Sequence, residues 1–376
     1  MRDGAAPVPA SVLRAGAVLT VDLDALCANY RLLCAQAAPA TCAAVVKADA
    51  YGLGAVPVAR ALSDAGCRHF FVAHLEEGIA LRASLPGSAR IFVLHGPMPA
   101  TEHEFLEHEL VPVLNSLGQV QAWSALAARI GRPLAAALQI DSGMHRMGLA
   151  LDELETLVRD AATLRGIDLQ LVMSHLACAD EPDHPHNAHQ LERFRTLRAL
   201  LPAGPASLAN SSGTFLEPGF RFELTRAGAA LYGIAPQAGT PNPLRQVIRL
   251  QARVVQIRRI EAGDQVGYGC RYTAPGTRHV ATVAMGYADG WPRHLSGRTS
   301  AFHQGTDLPQ IGTVSMDSIT LDVSALPPGR LQPGDLVDLI GPDQTVDDVA
   351  ARAGTIGYEI LTGLGPRLAR RYLRGA

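Results

Sequence analysis

Lysine is almost missing from this chain. Lys47 is the only one, and every other residue of the 33 Lys and Arg is arginine. Basic runs are missing too, and the formal net charge is −2. Nothing therefore points to a nucleic acid or to an anionic membrane surface as partner. No apolar run approaches the ~20 residues of a membrane span. The opening stretch, MRDGAAPVPASVLRAGAVL, lacks the continuous apolar core of a signal peptide, so a cytoplasmic protein is expected. The six cysteines (Cys27, Cys34, Cys42, Cys67, Cys178 and Cys270) show no CxxC and no zinc-like spacing. They read as free thiols in a reducing compartment. No internal repeat is visible. The first apolar run, in LTVDLDAL, is not followed by the glycine-rich loop of an open dinucleotide-binding sheet.

What is present is a long alternation. The 376 residues exceed one ordinary core and suit two domains. From about Val18 to Ile234, apolar runs alternate with helix-like segments. They begin with AVLTVDL, AAVVK, HFFVA, RIFVL and LVPVL, and continue through PLAAALQI, IDLQLVMSH, ASLAN and FELTRAG. Strands apolar on both faces belong to parallel sheets covered by helices. The count favours a (β/α)8 TIM-like barrel over an open doubly wound sheet. After APQAGTPNPLR at 235–245 the period changes to two, in VIRLQARVVQIRRI, HVATVAMGY, SITLDVSAL and DLVDLIG. The expected fold class is α/β: a barrel over 15–240, then a mostly β C-terminal domain over 241–376, with residues 1–14 packing on that domain.

The polar residues fall where a barrel does chemistry, at the C-terminal ends of its strands. Lys47 ends AAVVK. Gln139 and Asp141 end another strand, and Arg146 follows in SGMHRMG. His175 closes LVMSH, Asn210 and Ser211 follow ASLA, and Arg226 and Gly228 follow FELT. Each alone has an ordinary explanation: a solvated strand end, a structural histidine, a helix cap. Five such exits together describe a converging site. The stretch DEPDHPHNAH at 180–189 reads as a solvated loop, and no metal is expected. A lysine forms a Schiff base with an aldehyde, and Ser and Gly amides take a phosphate. The combination implies pyridoxal 5′-phosphate.

With these residues in place the sequence resembles the alanine racemases. The likeness spans nearly the whole chain and rests on AVVKADAYGLG, IDSGMHRMGL, SHLACADE, ANSSG, RAGAALYGI, VGYGCRYTA, GYADGW, VSMD and YEILTGLGPRLARRY. The resemblance implies two-base racemisation of alanine in a homodimer with composite sites, supplying D-alanine for peptidoglycan. It implies that Lys47 carries the cofactor and is the base on the D-face. Tyr51, Tyr358 and Ser211, with the backbone near Gly228 and Ile234, would bind the phosphate. Asn210 and His175 would line the cofactor, and Arg226 would face the pyridine nitrogen. Arg146 would meet the phenolate oxygen and the substrate carboxylate. Tyr268 of the partner subunit would be the L-face base, with Tyr287, Met316 and Asp317 of the partner subunit at the entrance and the carboxylate. Free tyrosine titrates near 10, so such a base needs help near neutrality.

Other readings are a serine or broad-specificity racemase and a non-catalytic cofactor carrier. The carrier has no use for a β-domain or for Tyr268. A decarboxylase of this architecture would want a cysteine where VSMD has Ser315. One position departs from the family pattern. Many relatives carry a carbamylated lysine where this chain has Gln139, which cannot be carbamylated; its amide oxygen can still accept a hydrogen bond from Arg146, but no charge balances the guanidinium, so Arg146 is expected to be more available to an anion, the substrate carboxylate or chloride.

Overall fold

The structure is a computed structural model that describes residues 10–375. Its strands follow the apolar runs. β1 is Ala17–Asp22. Then come β2 (Thr41–Val45), β3 (His69–Val72), β4 (Arg90–Val93) and β5 (Val111–Leu114). β6 (Leu134–Gln139), β7 (Ile167–Met173), β8 (Ala206–Ser207) and β9 (Leu224–Ala227) complete the series. β2 to β9 form one eight-stranded sheet in the order β8-β7-β6-β5-β4-β3-β2-β9, with parallel pairings throughout. Two further bonds close it. Glu223 N–H donates to Ala206 O at 3.2 Å, and Arg226 N–H donates to Ala209 O at 2.9 Å. Every residue of β5 and β9 is buried, as both-face burial in a barrel requires. Phe70, Phe71 and Phe92 fill the core beside β3 and β4, and the Phe71 and Phe92 rings stack at 4.6 Å.

The second unit is antiparallel for the most part. Its further strands are β10 (Ile248–Ile260), β11 (Gln265–Val266), β12 (Tyr272–Thr273), β13 (Arg278–Val283), β14 (Ser300–His303), β15 (Thr306–Ile311), β16 (Ile319–Asp322), β17 (Leu336–Ile340) and β18 (Ala369–Leu373). β10 pairs with β1, β13 and β17, so this one long strand holds the sheet together.

The first apolar run is the correction to the expected boundaries. AVLTVDL is not a barrel strand: β1 lies between β10 and β18, antiparallel to one and parallel to the other. The barrel unit runs Leu26–Arg245, and the described residues up to Ala25 belong with those from Gln246 onward. β1 buries Ala17, Val18, Leu19 and Val21, and only Thr20 and Asp22 are half-buried. Such a nearly continuous apolar run does not differ locally from a barrel strand. Eight barrel strands remain without it. Helix Ala10–Arg14 sits in this unit, where Arg253 donates to Val12 O and Ala15 O, each at 3.1 Å; residues 1–9 of the expected packing lie outside the described residues. Among the described residues no helix is long and apolar enough to cross a membrane.

Candidate active site

Lys47 follows the buried end of β2, and the chain then enters a costly conformation. Ala48, Asp49, Ala50 and Tyr51 all take positive φ, between 53° and 57°. A left-handed turn of residues with Cβ atoms costs about 1–2 kcal/mol per residue and persists only when its surroundings enforce it. Here Ala50 N–H donates to Val46 O at 2.9 Å, Gly52 N–H to Ala48 O at 2.7 Å, and Ala55 N–H to Asp49 Oδ1 at 2.7 Å. Tyr51 is thereby carried back into the barrel, where its ring lies 4.7 Å from that of Tyr232. The Tyr232 hydroxyl donates to Val45 O at 3.0 Å. Lys47 is half-buried and makes no ion pair among the described residues. Burial and the positive charge of Arg146 draw its pKa below the usual lysine value, with Glu77 opposing them. A larger fraction is then the neutral, nucleophilic amine.

Beside it lies a cradle for an anion. Ser211 Oγ accepts from Gly228 N at 2.8 Å and from Ala230 N at 3.2 Å. With two N–H groups on its lone pairs, the hydroxyl proton is left to donate. Gly228 is needed at close quarters: a Cβ there would stand 2.5 Å from the Tyr51 hydroxyl oxygen. Asn210 caps the same turn, its Oδ1 accepting from Gly213 N at 2.9 Å.

Arg226 is buried and laces three strand exits together. Nη1 donates to Ser207 O at 3.1 Å and to Ser207 Oγ; Nη2 donates to Ser174 O at 2.6 Å and Leu208 O at 3.5 Å. Burial pulls its pKa down to about 9, which leaves it charged at neutral pH. Of its three nitrogens, Nε alone donates to no partner among the described residues. Nη2 also lies 3.3 Å from His175 Nδ1. A guanidinium only donates, so Nδ1 is the acceptor and Nε2 carries the imidazole proton. Burial, then Arg226, Arg146 and Lys47, push His175 down to about 3; it is neutral across the working range.

Arg146 rides on a loop organised by Asp141. One oxygen, Oδ1, accepts from Gly143, Met144 and His145 N–H at 2.9, 3.0 and 3.1 Å. Burial would raise this carboxyl, but those amides and His145 outweigh it and lower its pKa. His186, from the stretch that read as a solvated loop, reaches across to Gly143 O at 3.1 Å. Gln139 and Arg146 make no hydrogen bond to each other. Gln139 is buried under Gly148, with its Cγ 3.1 Å from where a Cβ there would be, while Arg146 is exposed and has no hydrogen bond or ion pair among the described residues. Arg146 is an uncommitted cation whose charge acts on Lys47 and His175.

Lys47, Tyr51, Arg146, His175, Asn210, Ser211, Arg226 and Gly228 all lie at strand exits of the barrel unit. The other five expected residues lie in the second unit. Tyr268 is 72% exposed, and its carbonyl accepts from Thr313 Oγ1 at 2.9 Å. Two residues along that segment, Ser315 O accepts from Tyr287 N at 3.0 Å, and Met316 O from Ala288 N at 3.0 Å. Asp317 pairs with Arg367 at 2.7 Å. One segment thus joins Tyr268, Tyr287, Met316 and Asp317. Tyr358 stands on helix Gly357–Gly363. The sequence reading missed Glu77 and His186.

Fold and site define a barrel enzyme with a reactive amine beside an anion cradle. Comparison with known proteins names the family. Residues 21–236 match the alanine racemase N-terminal domain and residues 247–372 the alanine racemase C-terminal domain. The chain is 54% identical to a protein of Mesorhizobium japonicum named "Alanine racemase, catabolic", over 98% of this chain and 96% of that one. It is 53% identical to one of the same name from Agrobacterium fabrum, over 95% and 92%. The crystal structure of alanine racemase from Bartonella henselae with covalently bound pyridoxal phosphate superposes with a TM-score of 0.92 at 41% identity, over 96% of this chain and 100% of that one. The chain belongs to the alanine racemase family.

Proposed function

We propose that this protein is a pyridoxal 5′-phosphate-dependent racemase that interconverts L-alanine and D-alanine in a cytoplasmic homodimer. The observation that carries the reading is the meeting at one barrel mouth of the chain's only lysine, a serine-centred anion cradle and the open Nε–H of Arg226. The residues fit the cofactor's chemistry: an amine for its aldehyde, donors for its phosphate, and a donor for its ring nitrogen. Bound there, the cofactor supplies an electron sink that makes the α-proton of an amino acid removable.

The side chains do the rest. Ser211, Tyr51, Tyr358 and the backbone at Gly228 hold the phosphate, and Asn210 and His175 line the ring. Arg226 can only donate, so the ring nitrogen it meets stays unprotonated and the sink is restrained. Arg146 orients the carboxylate, and Met316 and Asp317 of the partner subunit meet it through backbone N–H groups, since a thioether and a carboxylate have no proton to give it. Lys47 Nζ moves the proton on one face and Tyr268 Oη of the partner subunit on the other, with Tyr287 of the partner subunit narrowing the entrance. The names of the relatives support alanine as substrate, and the two called catabolic support net flux toward breakdown. Supply of D-alanine for peptidoglycan is the second reading. Deleting the gene separates them: loss of growth on D-alanine as carbon source marks the first, a D-alanine requirement the second.

The purified protein is expected to be yellow, and borohydride to fix the cofactor on the peptide containing Lys47. A Lys47→Ala protein that still yields a reduced adduct would refute the assignment. Gly228→Ala forces the Tyr51 hydroxyl aside. Overpacking of this kind costs about 1–3 kcal/mol, so the Kd for pyridoxal phosphate should rise roughly tenfold to a hundredfold in an absorbance titration.

A further inference from the structure

Glu77 is the third residue of helix Leu75–Arg82, which begins just after β3. A glutamate there commonly returns its carboxylate to the helix start, and Oε2 does accept from His74 N at 3.0 Å. Two further bonds are not capping. Oε2 also accepts from Ala73 N at 2.7 Å, and Oε1 accepts from Ala48 N at 2.5 Å. Ala48 follows Lys47 and is the first residue of the left-handed turn. One carboxylate therefore ties the strained segment to the exit of β3, at the bond next to the reactive lysine. The charged and titratable groups acting with Lys47 are Glu77, Arg146 after β6, His95 after β4 and His175 after β7. Among them Glu77 alone is acidic.

We propose that Glu77 is the positioning residue of the Lys47 amine: its carboxylate pins the left-handed turn to the exit of β3 through Ala48 N–H and Ala73 N–H and places a negative charge at the peptide next to the lysine. The inference rests on Lys47 being the reactive amine of the proposed function. A capping glutamate would matter to the stability of its helix and to nothing else. A clamp on Ala48 matters to where Lys47 and Tyr51 point, because one rigid turn carries both. Glutamine at this position keeps the shape but turns an N–H₂ toward at least one backbone N–H, and removes the charge. Aspartate keeps the charge, but its shorter stem does not span Ala48 and Ala73 together.

The sole lysine makes the test clean. In full-length protein stripped of cofactor, an arylating amine reagent followed by peptide mass spectrometry reads Lys47 separately from the N-terminus. Loss of a neighbouring negative charge favours the neutral amine, so at pH 8 Lys47 of Glu77→Gln should react roughly threefold faster than wild type. Glu77→Asp should react near the wild-type rate. Both reconstituted variants should lose roughly tenfold in kcat from misplacement, with KM within about twofold. Wild-type reactivity of Lys47 in Glu77→Gln across pH 7–9 overturns the proposal, as does wild-type kcat in both variants. Failure of the proposed function shows elsewhere, as a wild-type protein with no reducible cofactor on Lys47.

Discussion

Lys47→Ala and Tyr268→Phe proteins are each expected to be nearly inactive, and to recover about a quarter of wild-type activity when mixed in equal amounts and allowed to exchange subunits. Loss of a positioned general base costs about 10²–10⁴ in rate. Racemisation needs a base on each face of the α-carbon, so either loss stops it. The recovery is arithmetic on a two-fold dimer. Random re-association makes about half the dimers mixed, and each mixed dimer has one of its two sites with both bases intact. Tyr268 is exposed in the single chain, which leaves its side chain accessible to a partner subunit. Exchange is followed by mass spectrometry, and a chain carrying both substitutions is the control. No recovery despite shown exchange would count against a composite site.

Arg226→Glu is expected to lower stability before it reports on cofactor electronics. The guanidinium stands among Ser174 O, Ser207 O and Leu208 O, all acceptors. A carboxylate there faces lone pairs on every side and leaves buried carbonyls without donors. Breaking a buried charged network of this kind costs about 3–5 kcal/mol, about 6–20 °C in Tm for a unit of this size. Thermal unfolding of cofactor-free protein measures it. Arg226→Lys keeps the cation with fewer donors and should lose less. An Arg226→Glu protein melting within about 2 °C of wild type would show that the strand exits do not depend on this side chain, and would leave its role to the ring nitrogen alone.

Much of the site was legible in one dimension because of where barrels put polar residues. Lys47, His175, Ser211 and Arg226 each end an apolar run, and buried parallel strands produce such runs whatever lies beside them. Their convergence then follows from barrel closure, which the Arg226 N–H to Ala209 O bond completes. The roles within the second unit are legible only through likeness to the family, since Tyr268 and Tyr287 sit in turns with no pattern of their own.

What the sequence by itself determined is the alternation that makes an eight-stranded barrel, the change to period two near residue 245, and a single amine at a strand exit. These are local properties: hydrophobic period, turn chemistry and composition. The tertiary structure decided everything that depends on a distant partner. β1 joined β10 and β18 because their edges were open to it, and its own residues would have served a barrel equally well. Ala48, Asp49 and Ala50 went left-handed with no glycine among them to announce it; local bonds close the turn, and the Glu77 carboxylate, from elsewhere in the barrel, holds its first N–H. Glu77 reads as a helix cap until Ala48 N–H is seen 2.5 Å from its carboxylate. Gln139 stayed apart from Arg146 because burial beneath Gly148 fixed one side chain while the other remained exposed. A hydrogen bond between residues 29 positions apart leaves no mark on the period of either segment, and only the folded chain can reveal it.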